Sequence, residues 1–256
     1  MENKKVCHVV FSTNRINYLE QTLESLKKID YEGVYVDHLI IDDYPTDRNN
    51  NQFKNLVFKY GFDEVILHEE NQGITKTWQE MFDYVKARDY DYIFHNEDDV
   101  ELLHPIKMTD MIEILESDDD LFQIQMKRNN WYVHEEEEIK PQEDDVVYNN
   151  YRYEKNPNFF WMLMSLYPSW IAKEPILEET GYHPSEHVIA TYLLNKYKRY
   201  YSGLLKTKDG EKIVDHIGDY SQGKRVLENE PGWDKFKYYS PDKKYCSRTG
   251  VEWNEN

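Results

Sequence analysis

This sequence predicts an α/β fold with a mostly parallel central sheet and flanking helices, on two observations. Through residues 6–94, short apolar runs rich in β-branched residues alternate with segments whose apolar residues recur at helical spacing. Strands alternating with helices imply parallel pairing through right-handed crossovers. The last of these runs, Tyr90–Phe94, leads into three acids, Glu97, Asp98 and Asp99, and Val100, Leu102 and Leu103 then resume the apolar pattern. These acids therefore interrupt core rather than extend a charged surface. Carboxylates at the C-terminal end of a central strand lie where open α/β sheets bind ligands.

The first strand is Val6–Phe11, and Ser12-Thr13-Asn14-Arg15 follows it as a polar turn. Leu19, Leu23 and Leu26 mark one face of a helix over Ile16–Ile29. A second strand, Val34–Ile41, ends in the acid-rich stretch Asp42–Asp47. A helix over Asn51–Tyr60 and a third strand, Glu64–Leu67, come next. Asn71-Gln72-Gly73 then opens a helix whose Trp78, Met81, Phe82 and Val85 follow i, i+3, i+4, i+7. The second half is less regular. It reads as a helix over Ile106–Leu115, a strand over Leu121–Met126, a charged loop or hairpin over Trp131–Tyr151 and a buried strand over Phe159–Ser165. A helix near Glu174–Glu179, a break at Gly181–Pro184 and a helix capped by Ser185 and running to Tyr197 follow. Arg199–Leu204 and Ile213–His216 read as late strands. The sequence shows no repeat or linker, so residues 1–218 are expected to form one domain, with halves 1–104 and 105–218, and 219–256 a C-terminal extension.

The 256 residues carry a net charge of −18, which argues against non-specific binding to nucleic acid or anionic membrane. The same charge opposes an anionic ligand unless a divalent cation held by the acids offsets it locally. Hard carboxylate oxygens suit Mg²⁺ or Mn²⁺, which commonly reach a substrate through its phosphates. With 49 acids in the chain, an Asp-Asp pair alone means little, and Asp42-Asp43, Asp118-Asp119 and Asp144-Asp145 are further examples. Asp98-Asp99 is singled out by the strand before it. His134, followed by four glutamates, lacks the spacing of a zinc helix. The 22 tyrosines either replace aliphatic residues at core edges or form a sugar-stacking surface. Cys7 and Cys246 are too few for a disulfide framework. Neither a signal-peptide core nor a bilayer-length apolar segment is visible, so a soluble, cytoplasmic protein is expected.

Four pieces in order carry a family resemblance: Val9–Arg15, Ile40–Asp47, Asn71-Gln72-Gly73 and Glu97-Asp98-Asp99. They resemble the first strand and nucleotide loop, the acidic turn, the Asn-x-Gly helix start and the metal motif of Rossmann-like GT-A glycosyltransferases, especially family-2-like inverting enzymes. The resemblance implies that Asp43 contacts the nucleobase and that Ser12, Thr13 and Arg15 line the nucleotide pocket. By the same resemblance Asp98 supports the ribose or the metal shell, and Asp99 ligates the cation under the diphosphate. Tyr44-Pro45 departs from the small residues usual in the acidic turn. The second half matches more thinly. Tyr182–His187 looks like the segment holding the catalytic acid, which implies Glu186 as the base, with Glu178 and Glu179 as fallbacks. An ordinary first-turn acid favoured by the helix dipole is the competing explanation of Glu186. Val214–Gly218 is similar to the segment supplying a late metal-ligand histidine, here His216.

The expected activity is metal-dependent transfer of a sugar from a nucleoside-diphosphate donor, UDP-linked, to an acceptor hydroxyl with inversion. The acceptor, whether glycan, lipid or protein, is not marked by any motif. A sugar-nucleotidyltransferase is the rival, although Ser12–Arg15 lacks the glycine expected of its phosphate loop. A catalytically inactive carbohydrate-binding module is the rival from another class.

Overall fold

The computed structural model describes residues 3–13, 15–43, 51–128, 146–156, 163–179, 186–197 and 201–218. The first half supplies strands β1 (Lys4–Ser12), β2 (Ile29–Asp30), β3 (Val34–Asp42), β4 (Glu64–Leu67), β5 (Tyr92–Glu97), β6 (Val100–Leu102) and β7 (Ile106–Lys107). Its helices are α1 (Ile16–Leu26), α2 (Asn51–Tyr60), α3 (Ile74–Lys86) and α4 (Met108–Ser117). The second half adds β8 (Leu121–Met126), β9 (Val146–Tyr148), β10 (Tyr151–Asn156), β11 (Met164–Pro168), β12 (Tyr201–Thr207) and β13 (Val214–His216). A 3-10 helix over Ser169–Lys173 and two helices, α5 (Ile176–Glu179) and α6 (Glu186–Tyr197), complete the described elements.

Nine strands form one sheet in the order β4-β3-β1-β5-β11-β8-β12-β10-β9. Strands β4, β3, β1 and β5 are mutually parallel, as the alternating pattern predicts. Between β5 and β8, β11 is inserted antiparallel to both, with Leu166 opposite Phe94 on one side and Ile124 on the other. Every residue of β1 from Val6 to Ser12 is buried, which is why its sequence is mostly apolar rather than alternating.

The two faces of β1 divide the core by the strand period of two. Val6 and Val10 pack with Leu19, Leu23 and Leu26 of α1 and with Met111, Ile112 and Leu115 of α4. Cys7, Val9 and Phe11 face the other way, onto Trp78, Met81, Phe82 and Val85 of α3 and onto Ile189 and Leu193 of α6. These helices set the depth and tilt of the strand ends.

Several sequence expectations shift. The first helix stops at Leu26 rather than Ile29, and Ile29 instead pairs with Ile106 in the short parallel β2–β7 ladder. Ile29 falls on the helical period of Leu19, Leu23 and Leu26, so periodicity alone could not reveal the break. Lys28 helps fix the exit, its Nζ donating to the Leu102 carbonyl at 2.6 Å. The helix expected from Ile106 begins two residues later, at Met108, because β7 takes Ile106-Lys107. Strand β5 extends to Glu97, past the expected end at Phe94. The charged stretch 131–151 contributes the β9–β10 hairpin on the sheet edge through residues 146–151, and 129–145 lie outside the described residues. So do 157–162, the start of the strand expected over Phe159–Ser165, and the whole extension 219–256.

On the α1–α4 face, β1 buries His8, its Nδ1 lying 2.9 Å from His38 Nδ1 and 3.0 Å from the Tyr31 hydroxyl. Burial, with His38 and His95 nearby, pushes the His8 pKa well below its usual value. A base held neutral in the fold leaves its proton to the unfolded chain, so its stabilising contribution is present above about pH 6.5 and lost as pH falls below it. Urea unfolding should therefore show stability falling by up to about 1.4 kcal/mol per pH unit below 6.5 for this residue. His8→Phe should flatten that slope. An unchanged slope would mean that His8 takes up a proton in the folded protein.

Candidate functional site

The parallel strands deliver their acids to one end of the sheet. Ser12 closes β1 opposite Asp42 of β3, and Phe11 of β1 stands opposite Glu97 of β5. The Ser12 hydroxyl donates to Asp42 Oδ2 at 3.3 Å, and the Ser12 carbonyl accepts from the Asp43 amide at 2.9 Å. Both aspartates are buried. Asp98 and Asp99 lie in the turn between β5 and β6 and are 0% and 2% exposed.

Helix α1 holds that turn in place. The Thr22 hydroxyl donates to the Asp98 carbonyl at 2.9 Å, and Ser25 Oγ accepts from the Leu102 amide at 2.9 Å. Two polar residues on the buried face of a helix are explained by this service, since the turn would otherwise leave buried backbone groups unpaired.

Arg15, at the N-cap of α1, bridges the pair. Its Nη2 binds Asp98 Oδ1 and its Nη1 binds Asp99 Oδ2. The Thr13 amide donates to Asp98 Oδ2 at 3.0 Å. Burial, reinforced by the charge of Asp99, pushes the Asp98 pKa up to about 6 despite Arg15. Burial also raises that of Asp99, but hydrogen bonding to His216 and the charge of Arg15 outweigh it and hold Asp99 below the usual carboxylate value. Two adjacent carboxylates thus have their affinities for protons pushed apart, as for like charges sharing a site.

His216 arrives from the far end of the sequence through the antiparallel β13–β6 ladder, in which it stands opposite Val100. Its Nε2 lies 3.4 Å from Asp99 Oδ2, and the Ile217 amide donates to the Asp99 carbonyl at 2.9 Å. Gly218 completes this strap. A Cβ there would overlap Asp99 Oδ2 and stand 2.9 Å from Asp99 Cγ, so only glycine lets the backbone lie against the carboxylate. Gly218→Ala should leave the fold intact and weaken metal-dependent nucleotide binding by about tenfold, the lower range for disturbing a ligand's support. Unchanged affinity in that variant, measured by titration calorimetry, would detach the strap from the site.

Asp43 serves a second cluster. Its Oδ1 accepts from the Gln72 amide at 2.8 Å and lies 2.6 Å from His68 Nδ1, and its Oδ2 accepts from the Gly73 amide at 2.9 Å. Gly73 has φ 81°, a conformation suited to glycine, which explains this residue at the start of α3. His68 Nε2 lies 2.6 Å from Glu80 Oε2 on α3. A cleft of about 520 Å³ opens here, lined by Leu67, His68, Glu70, Gln72, Lys76 and Glu80 among others.

The structure thus brings together Ser12, Thr13, Arg15, Asp98, Asp99 and His216, and sets Asp43 beside them on the next strand. Glu186 is the first residue of α6, but its side chain lies outside the described residues, as does that of the fallback Glu179. Glu178 is exposed. His68 and Glu80 escaped the sequence reading, and Gly218 was read only as the end of the Val214–Gly218 segment, without its contact with Asp99.

Among the described residues no group of three or more metal-ligating side chains is assembled. The site nevertheless suits a hard cation that takes one or two protein ligands and completes its shell with phosphate and water. Asp99 Oδ1 is buried and has no hydrogen-bond partner among the described residues, and His216 stands next to the same carboxylate.

The mostly parallel sheet with buried acids at its strand ends is the fold of GT-A glycosyltransferases, as the structural likenesses below show. The sequence matches glycosyl transferase family 2 over residues 7–164, and the chain belongs to that family. No curated protein sequence matches it. Among solved structures, it is similar to the mannosyltransferase PcManGT from Pyrobaculum calidifontis in complex with GDP-Man and Mn²⁺, at 10% identity and a TM-score of 0.59, covering 89% of this chain and 61% of that one. It is also similar to S. aureus TarS 1–349 in complex with UDP-GlcNAc, at 16% identity and a TM-score of 0.53, covering 93% of this chain and 62% of that one. A longer S. aureus TarS structure matches at 15% identity with a TM-score of 0.52, and covers 87% of this chain but 38% of that one. The chain therefore spans less than two thirds of each of these relatives, and at such identities the likeness speaks for fold alone. No helix among the described residues is long and apolar enough to cross a membrane.

Proposed function

We propose that this protein is a metal-dependent glycosyltransferase that moves a sugar from a nucleoside-diphosphate donor, UDP-linked in our reading, to an acceptor hydroxyl with inversion. The observation that carries the proposal is the buried Asp98–Asp99 pair at the end of β5, bridged by Arg15, with one Asp99 oxygen that has no partner among the described residues. Asp99 and His216 would hold a Mn²⁺ or Mg²⁺ ion, which when bound neutralises charge on the diphosphate leaving group. The relatives solved with GDP-Man and Mn²⁺ or with UDP-GlcNAc support both the donor class and the cation.

The chain's own residues then divide the work. Asp43 accepts a hydrogen bond from the nucleobase, and Ser12 and Thr13 line the pocket beside it. Asp98, fixed by the Thr13 amide, supports the ribose or the metal shell. Arg15, which bridges the two acids, would balance the charge of the diphosphate beside them. Glu186 accepts the acceptor hydroxyl proton as its oxygen bonds to the anomeric carbon and the bond to the diphosphate breaks. The acceptor is a glycan, lipid or protein hydroxyl.

A thermal-shift panel of UDP, GDP and their sugars, each with and without Mn²⁺, tests this reading. A ligand that binds the folded state at about 100 times its Kd stabilises it by about 2.7 kcal/mol. A nucleotide is expected to stabilise the fold markedly more with the cation than without it. A panel with no stabilising nucleotide would contradict the proposal.

A further inference from the structure

His68 belongs to no motif and none of the roles above uses it, yet it is 6% exposed and both of its ring nitrogens lie 2.6 Å from carboxylate oxygens. We propose that His68 is a positioning residue of the nucleotide site, an imidazolium clamped between Asp43 and Glu80 that keeps the Asp43 carboxylate aimed at an N–H of the donor base. The inference rests on the nucleotide-site reading above.

Hydrogen-bond inventory carries the argument. Ionised carboxylates only accept, and a neutral imidazole has a single N–H. A neutral His68 would therefore press a lone pair against Asp43 or Glu80 at 2.6 Å. With both nitrogens protonated, both contacts become charge-assisted hydrogen bonds, which favour such short distances. Burial alone would lower the His68 pKa, but the hydrogen bonds to Asp43 and Glu80 outweigh it and raise the value above normal.

The charged neighbours are few. Asp43 faces the ring from the end of β3 and Glu80 faces it from α3, while Lys76 on α3 approaches the other Glu80 oxygen at 3.5 Å. Glu69 and Glu70 line the adjoining cleft. The His68 amide donates to the Asp42 carbonyl at 3.0 Å, so the clamp sits on backbone already tied to β3. Among the described residues, Asp43 Oδ1 is filled by His68 and the Gln72 amide, and Oδ2 takes the Gly73 amide alone. One acceptor position, on Oδ2, remains for the base. Deprotonating His68 would turn one side of the clamp repulsive and loosen the carboxylate that offers this position. Nucleotide affinity should thus hold at low pH and fall as pH rises through the His68 pKa.

The test uses the full chain and two readouts. In the nucleotide-free protein, two-bond ¹H–¹⁵N spectra should show both His68 nitrogens protonated at about pH 7, the normal value being near 6.5. UDP affinity with Mn²⁺ saturating, measured by calorimetry between about pH 6.5 and 8.5, should fall by about tenfold in the wild type. His68→Gln should be about tenfold weaker at the lower pH and lack the pH dependence. Glu80→Gln should move the His68 titration and the affinity profile to lower pH together, which a merely structural histidine would not do. A single neutral tautomer at pH 7, or an affinity profile that stays put in Glu80→Gln, would overturn the inference. If UDP binds the wild type at no pH, the nucleotide-site reading itself falls and takes the clamp's role with it, a failure visible apart from the His68 spectrum.

Discussion

Asp99→Asn is expected to weaken Mn²⁺-dependent nucleotide binding by about 100-fold or more, since removing a metal ligand should exceed the ~10–100-fold cost of disturbing its supporting partners. The substitution keeps the volume of a residue that is 2% exposed, so the core should tolerate it. It removes the charge that Arg15 and His216 share. Binding of UDP without metal should change far less, because the base contact proposed for Asp43 lies apart from Asp99. Calorimetry with and without Mn²⁺ separates the two effects. Equal metal dependence in wild type and Asp99→Asn would place the cation elsewhere.

Glu186→Gln is expected to slow sugar transfer by about 10²–10⁴-fold, the usual contribution of a positioned general base. Glutamine keeps the size of the side chain and removes the basic oxygen, so folding and chemistry are distinguished. Helix α6, which Glu186 begins, is anchored by Ile189 and Leu193, both 0% exposed, against the α3 side of the sheet. Donor affinity should barely change, because the nucleotide contacts lie in the first half of the chain. A variant that transfers at near wild-type rate would end the assignment and move attention to Glu178 and Glu179.

The half of the fold that builds the site was legible in the sequence because its physics is local. Val6–Phe11, Val34–Ile41 and Ile93-Phe94 read as parallel strands because short, mostly apolar, β-branched runs alternate with segments of helical spacing. Asp98-Asp99 stood out from the other Asp-Asp pairs because a strand precedes it and Val100, Leu102 and Leu103 resume the apolar pattern directly after it. What could not be read depends on distant pairing. Nothing near Leu166 announces that β11 inserts antiparallel between β5 and β8, and nothing near Ile29 announces Ile106. The partners of Arg15 were hidden for the same reason: its motif placed it beside a nucleotide, while the folded chain pairs it with acids more than eighty positions away. His68 was least visible of all, since its meaning lies wholly in Asp43 and Glu80.

The account's central claim is that a divalent cation joins Asp99 to the donor diphosphate at the end of β5. Anomalous diffraction at the manganese edge, from crystals grown with UDP and Mn²⁺, locates that cation directly. The account predicts one strong peak in ligand contact with Asp99 and the diphosphate. UDP bound with no such peak would contradict it.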